Sequence, residues 1–225
     1  MTTRTDIIQH FIDQRKFKNY LEIGSYRNEN FNKIKIDNKV SVDPDPEAHA
    51  TYQMTSDEFF ANNKDTFDIV FIDGLHEHNQ VYKDIINSLK VLNKDGMIIM
   101  HDCLPKTEEM QKWDNKLHQD EEWCGDTWKA YVQASVDFPM YNVVCVTEDY
   151  GCGIIDTYDP SAGAVSCIEV DMNTLDYQDY LNLLQLNLYG TIPWFGSIKY
   201  TIRNYGNGRN SPLDWYCCEK WYRSC

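Results

Sequence analysis

FDIVFIDGLHEHNQVYKDIINSLKVLNKDGMIIMHD, Phe67 to Asp102, is the stretch that decides the fold. It opens with a short apolar run rich in β-branched and aromatic side chains, stopped by Asp73-Gly74, which reads as a buried strand. Val81, Ile85, Ile86, Leu89 and Leu92 then recur at helical spacing, Asp95-Gly96 supplies a turn, and Met97–His101 is a second apolar run. Strand, helix, strand is a βαβ unit, and its right-handed crossover sets the two strands parallel and side by side. Each run ends in polar residues: Asp73-Gly74-Leu75-His76-Glu77-His78 after the first, His101-Asp102 after the second. Ligands bind at the carboxyl ends of strands in open α/β sheets, so the two clusters are expected to converge on one crevice, which packing alone does not explain.

Further apolar runs lie on either side. Tyr20–Gly24 (YLEIG), Lys39–Asp43 (KVSVD), a short Thr51–Met54, Tyr141–Thr147 (YNVVCVT) and Cys152–Asp156 (CGIID) bring the expected strands to seven. Polar helical segments separate them, the pattern of a parallel sheet covered on both faces. Near the start, Ile7, Ile8, Phe11 and Ile12 form one apolar stripe, which predicts an amphipathic helix rather than a signal peptide. Lys106–Gln119 is charge-rich and is expected to be helical at the position of a lid. TLDYQDYLNLLQLNL, beginning at Thr174, reads as a helix or pair of turns. Tyr205–Cys225, dense in Gly, Asn, aromatics and Cys, is left unassigned, and no repeat or flexible linker is visible.

A chain of 225 residues with 42% hydrophobic and 25% charged residues suits one globular core. Residues 1–160 are expected to form it, with 161–225 as an extension packed on the same domain. The net charge of −14, with Lys and Arg scattered, argues against nucleic acid and against an anionic membrane surface. No apolar stretch is long enough to span a bilayer, so a soluble cytoplasmic protein is expected, and a homo-oligomer is compatible with the sequence. Eight cysteines without a CxxC pair or a signal peptide read as reduced thiols; Cys217, Cys218 and Cys225 are the one grouping where a bridge or a metal stays open.

Other strand ends carry candidate ligand groups, each with a plainer reading beside it. Glu22-Ile23-Gly24-Ser25 is a turn that could face a cofactor, or only a turn. Asp43 stands where a ribose diol would be gripped by charge-assisted hydrogen bonds, or where it caps a turn. Thr55 or Ser56 could face an adenine or cap the helix through Phe59 and Phe60. No G-x-G-x-x-G follows the first strand, which weakens a dinucleotide-dependent oxidoreductase.

Taken in series, EIGSYR, SVDP, MTSDEFF, FDIVFIDGLHEHNQVYKDI and GMIIMHD resemble the class I methyltransferases of the family-24 type. The resemblance runs from about Asn19 to Pro105, with a weaker echo in WCGDTWK (Trp123–Lys129) and in Gly151–Ile155. It implies a Rossmann-like, doubly wound seven-stranded sheet in the order 3-2-1-4-5-7-6, the last strand antiparallel, with helices on both faces. It also implies S-adenosyl-L-methionine as methyl donor, with Glu22, Gly24 and Ser25 at its methionine part, Asp43 at the ribose, and Thr55 and Ser56 at the adenine. Such loops usually carry a glycine where this chain has Asn28, a residue that tolerates left-handed backbone angles.

Similar O-methyltransferases of sugars and catechols hold a divalent cation after the fourth and fifth strands. The matching positions here are Asp73, His101 and Asp102; carboxylates suit Mg²⁺, and a histidine ligand favours Mn²⁺. Otherwise His101 only orients Asp102. His76, three residues beyond Asp73, is placed as general base, as in a similar macrolide-sugar methyltransferase pattern, with His78 as its alternative. Trp123 and Trp128 could offer a flat face to a sugar ring while Asp126 or Lys129 bonds its hydroxyls; Asp126 reads first as a helix N-cap. The expected acceptor is a hydroxyl of a carbohydrate or glycan. The alternatives are a phenolic or other small hydroxylated metabolite, or an inactive binding scaffold of the same fold.

Overall fold

The structure is a computed structural model, and residues 2–113, 123–158, 176–185 and 191–192 are described. In chain order the elements are α1 (Arg4–Arg15), β1 (Asn19–Ile23), α2 (Glu29–Lys33), β2 (Asn38–Val42), α3 (Ser56–Asn62), β3 (Phe67–Ile72), α4 (His78–Val91) and β4 (Leu92–Met100). They continue with α5 (Thr127–Asp137), β5 (Asn142–Val146), β6 (Cys152–Asp156), α6 (Tyr177–Gln185) and β7 (Thr191–Ile192).

The strands form one sheet in the order β2-β1-β3-β4-β6-β5-β7. β2, β1, β3 and β4 are parallel, and β6 runs antiparallel to both β4 and β5. The strand expected at Thr51–Met54 is reduced to a single parallel bridge, Tyr52 to Val42. Counting that bridge, the expected order is reproduced from the β2 edge to β5. The two-residue β7, paired parallel with β5, is an addition the sequence did not suggest.

Both faces of the sheet are apolar, and the two-residue strand period divides them. Ile69 and Phe71 of β3 point to one side with Ile7, Ile8, Phe11 and Ile12 of α1; Val70 and Ile72 point to the other with Val81 and Ile85 of α4. The stripe read from the first residues is thus a buried helix face. Thr3 caps that helix in a reciprocal box with Asp6.

Three expectations change. Among the described residues of Lys106–Gln119 only a 3-10 turn forms, Glu109–Gln111; this part has one buried apolar residue, Met110, and so no stripe to hold a helix on the core. Trp128 is not a surface platform: it is fully buried in α5, 5.1 Å centroid to centroid from Tyr180 of α6, with Nε1 donating to Gln111 Oε1 at 2.7 Å. Tyr180 in turn donates its hydroxyl to Pro105 O at 3.0 Å, which ties α6 to the core. The third change is at β4, which begins at Leu92 rather than Met97, with a register irregularity opposite β3.

Cys103, Cys124, Cys145 and Cys152 are buried and in no disulfide. Cys167, Cys217, Cys218, Cys225 and the rest of the Tyr205–Cys225 segment lie outside the described residues. Among the described residues no helix is long and apolar enough to cross a membrane.

Candidate active site at the strand ends

The carboxyl ends of β1 to β4 open into a cavity of about 1000 Å³. A stepped ladder closes its floor: Gly24 N–H donates to Val42 O, Asp73 N–H to Ile23 O and His101 N–H to Ile72 O, at 2.8, 2.8 and 3.0 Å. The first and third loops touch there. A Cβ on Gly24, at φ +80°, would lie 2.2 Å from Asp73 O, so this position admits only glycine.

On one side lie Glu22, Gly24, Ser25, Asp43, Thr55 and Ser56, all lining the cavity. Asn28 takes the left-handed conformation at φ 57°, and its Nδ2 donates to Ala48 O and His49 O, so this asparagine shapes the loop. Asp43 stiffens the same turn: Oδ2 accepts from Tyr26 N–H at 2.8 Å and Oδ1 from Asp45 N–H at 2.9 Å. Ser25 Oγ is buried without a hydrogen-bond partner. Thr55 caps α3 in a box with Glu58, and Ser56 Oγ accepts from Gln80 Nε2 at 3.2 Å. Glu22 is buried and accepts from the Tyr20 hydroxyl and Asn30 Nδ2; burial pushes its carboxyl up to about 7, against those hydrogen bonds.

On the other side β3 and β4 deliver Asp73, His76, His101 and Asp102 to the same wall. His76 bridges two carboxylates, with Nε2 3.3 Å from Asp73 Oδ1 and Nδ1 3.3 Å from Asp102 Oδ2. Its ring stacks on Trp123 at 5.2 Å and 18°, and Trp113 meets Trp123 edge-on. His101 Nδ1 lies 3.0 Å from Asp102 Oδ2 and 3.4 Å from Asp73 Oδ1. Burial opposes the charged forms of Asp73, His76 and His101, but pairing with their neighbours prevails. Both imidazoles are raised above the usual histidine value, and Asp73 is held well below the carboxylate range by His101, His76 and Arg4.

The ligand atoms that lie within 4.8 Å of one another belong to Asp73, His76 and Asp102. His76 thus joins the expected Asp73 and Asp102, while His101 Nδ1 faces the same two carboxylates. His78 does not reach the cavity: buried at the start of α4, its Nε2 pairs with Gln133 Oε1 of α5 at 2.8 Å. Asp126 and Lys129 also lie off the cavity. Asp126 precedes α5 but makes no side-chain capping hydrogen bond to that helix, pairing only with Lys129 Nζ at 3.7 Å; Oδ1 accepts from His78 N–H at 2.7 Å, at the start of α4.

Two residues at the centre were not singled out from the sequence. Arg4 places Nη1 2.6 Å from Asp73 Oδ2, and its backbone N–H donates to Asp149 Oδ2 at 2.6 Å. Arg4 lies 69 residues from Asp73 and 145 from Asp149 along the chain, so no local spacing marks either contact.

Residues 27–103 match a family described as a methyltransferase domain. No curated protein matches the chain in sequence. Among solved structures, the S-adenosylhomocysteine-bound methyltransferase PaMTH1 of Podospora anserina superposes with a TM-score of 0.54 at 15% identity, covering 71% of this chain and 80% of that one. A Staphylococcus aureus protein inferred to be a caffeoyl-CoA O-methyltransferase gives 0.52 at 20% identity, covering 69% and 85%. An O-methyltransferase of Bacillus cereus, also with S-adenosylhomocysteine, gives 0.50 at 12%, covering 68% and 80%. The chain shares the fold of these methyltransferase structures, and its match to the methyltransferase-domain family covers residues 27–103.

Proposed function

We propose that this chain is an S-adenosylmethionine-dependent O-methyltransferase acting on a hydroxyl of a saccharide or glycan. The observation that carries the reading is one cavity holding two sets of groups. A glycine-turn and acidic set (Gly24, Ser25, Asp43, Ser56) faces a carboxylate–imidazole set (Asp73, His76, Asp102). The first set suits the donor: Ser25 Oγ is a buried polar atom left for a ligand, and Asp43 is fixed by two backbone N–H groups beside the space for a ribose.

Methyl transfer from a sulfonium is an in-line displacement, so the protein must align the acceptor oxygen and accept its proton. His76 is the imidazole fitted to that role, because it is 19% exposed where His101 is 3%, and Asp73, Asp102 and the Trp123 face orient it. Two carboxylates and one imidazole within 4.8 Å also form a donor set that fits Mg²⁺ or Mn²⁺. An ion held there would lower the pKa of the acceptor hydroxyl, with His76 then serving as ligand. Thr3, Thr5, Asp6 and Lys33 also line the cavity, and such hydroxyl and charged side chains favour a hydroxyl-rich acceptor. The exposed faces of Tyr26 and Leu75 at the same cavity favour the second reading, a phenolic or other small hydroxylated metabolite.

The test is calorimetric titration with S-adenosylmethionine and S-adenosylhomocysteine, with and without Mn²⁺, on wild type and Asp73→Ala, followed by a screen of sugar and phenolic acceptors. Micromolar nucleoside binding and methylated sugar product are expected. Absence of binding to either nucleoside would overturn the donor assignment and favour a scaffold of the same fold.

A further inference from the structure

Arg4 is a permanent cation at the reacting end of the cavity to which the proposed chemistry gives no part. It is the first residue of α1, and the buried face of that helix, Ile7, Ile8, Phe11 and Ile12, anchors it against the sheet. Nη1 lies 2.6 Å from Asp73 Oδ2 and Nε 3.3 Å from Asp149 Oδ2, while the backbone N–H of the same residue holds Asp149 at 2.6 Å. The two oxygens of Asp73 are therefore divided: Oδ2 faces the guanidinium, and Oδ1 faces His76 at 3.3 Å. Imidazoles can surrender their charge when a metal ion approaches, but a guanidinium cannot. Its side chain is 33% exposed and lines the cavity, so its field acts on whatever enters.

We propose that Arg4 is a built-in counter-cation that competes with a divalent ion for the charge of Asp73, and so sets the metal affinity of the Asp73–His76–Asp102 cluster. This rests on reading that cluster as a cation site, and it makes the first turn of α1 part of the reacting centre. A guanidinium on Oδ2 leaves Asp73 able to offer an ion only Oδ1, in a monodentate contact, and adds a repelling charge a few ångströms away.

The experiment is calorimetric titration of Mn²⁺ into the full chain as wild type, Arg4→Met and Arg4→Lys at one pH, with circular dichroism to establish the fold of each. Arg4→Met is expected to bind Mn²⁺ at least about tenfold more tightly, the order expected for deleting one nearby positive charge in a partly buried site. Arg4→Lys, whose single ammonium cannot hold Asp73 and Asp149 as a planar fork does, is expected between the two. A merely structural arginine would leave the affinity unchanged or lower it, and either result in Arg4→Met overturns the proposal. Should Arg4→Met fail to fold, an Arg4→Lys affinity no higher than wild type overturns it equally. If none of the three proteins takes up Mn²⁺, the cation-site reading falls and this proposal with it. Titrating S-adenosylhomocysteine into the same samples tests the donor assignment separately.

Discussion

Nε2 of His76 stands 3.3 Å from Oδ1 of Asp73, three residues earlier in the loop that leaves β3. The loop turns back on itself so that the acidic residue directly after the strand orients the ring that follows it. Gly125, at φ +58°, packs against the backbone of the same histidine; a Cβ there would lie 1.8 Å from His76 O. The imidazole is thus fixed from the sheet edge and from the segment before α5.

Burial disfavours the charged His76 ring, but the Asp73 hydrogen bond and the Asp102 charge outweigh it and place its pKa above 6.5. Only the neutral ring accepts a proton, so kcat/KM for methyl transfer is expected to rise as pH passes that raised value. His76→Gln should remove this ascending limb and lower the rate by roughly 10²- to 10⁴-fold, the usual contribution of a positioned general base. An unchanged profile in the variant, measured by product mass against pH, would exclude His76 as the base.

Glu22 is the second pH-sensitive group. Its folded pKa of about 7 exceeds the ordinary 4.5, so its protonation favours the folded state. That contribution is fully present below 4.5 and is lost as pH rises through 7; the difference corresponds to about 3 kcal/mol. Glu22→Gln keeps an acceptor for Tyr20 and Asn30 but cannot ionise. Its Tm relative to wild type is therefore expected to climb between pH 5 and pH 8. Parallel Tm curves across that range would show that Glu22 titrates normally.

Gly24→Ala tests the meeting of the first and third loops. With φ at +80° and the new methyl 2.2 Å from a backbone oxygen, either the β1 turn or the Asp73 loop must move. We expect a loss above about 3 kcal/mol in chemical denaturation, or no soluble protein. A variant of wild-type stability that still binds S-adenosylhomocysteine would contradict the loop contact.

Two tryptophans, five residues apart, should behave oppositely. Trp128→Ala removes a fully buried indole and is expected to cost about 3–5 kcal/mol of stability, without a specific effect on acceptor KM in the protein that folds. Trp123→Ala should cost less stability but depress kcat, because the indole supports the His76 ring. Denaturation curves and steady-state kinetics on both variants separate the two roles, and equal kinetic losses would refute the distinction.

Much of the fold is legible in local sequence. The six apolar-rich residues of β3, the helical recurrence through Leu89 and the turn at Asp95-Gly96 specify a βαβ unit because each is a local periodicity. The polar residues that end both strands then have to emerge at one sheet edge. Asn28 in the left-handed region and Asp43 at the end of β2 belong to the same class, since backbone preference and strand-end position are local properties. The Thr51–Met54 strand is less secure: four residues are enough to suggest a strand but not to form a ladder, and one bridge results.

The sequence by itself thus determined the α/β fold, the strand order through its resemblance, and the edge at which chemistry collects. Only the tertiary structure decided which polar side chains meet there. It brought in Arg4 and Asp149 from opposite ends of the described core, set His76 beside His101 at the Asp73 and Asp102 carboxylates, and turned His78, Asp126, Trp128 and Lys129 away from the cavity. The reason is physical: periodicity and turn preference act over a few residues, whereas a charge cluster is assembled by helix packing and loop closure across the whole chain, and no local spacing encodes that.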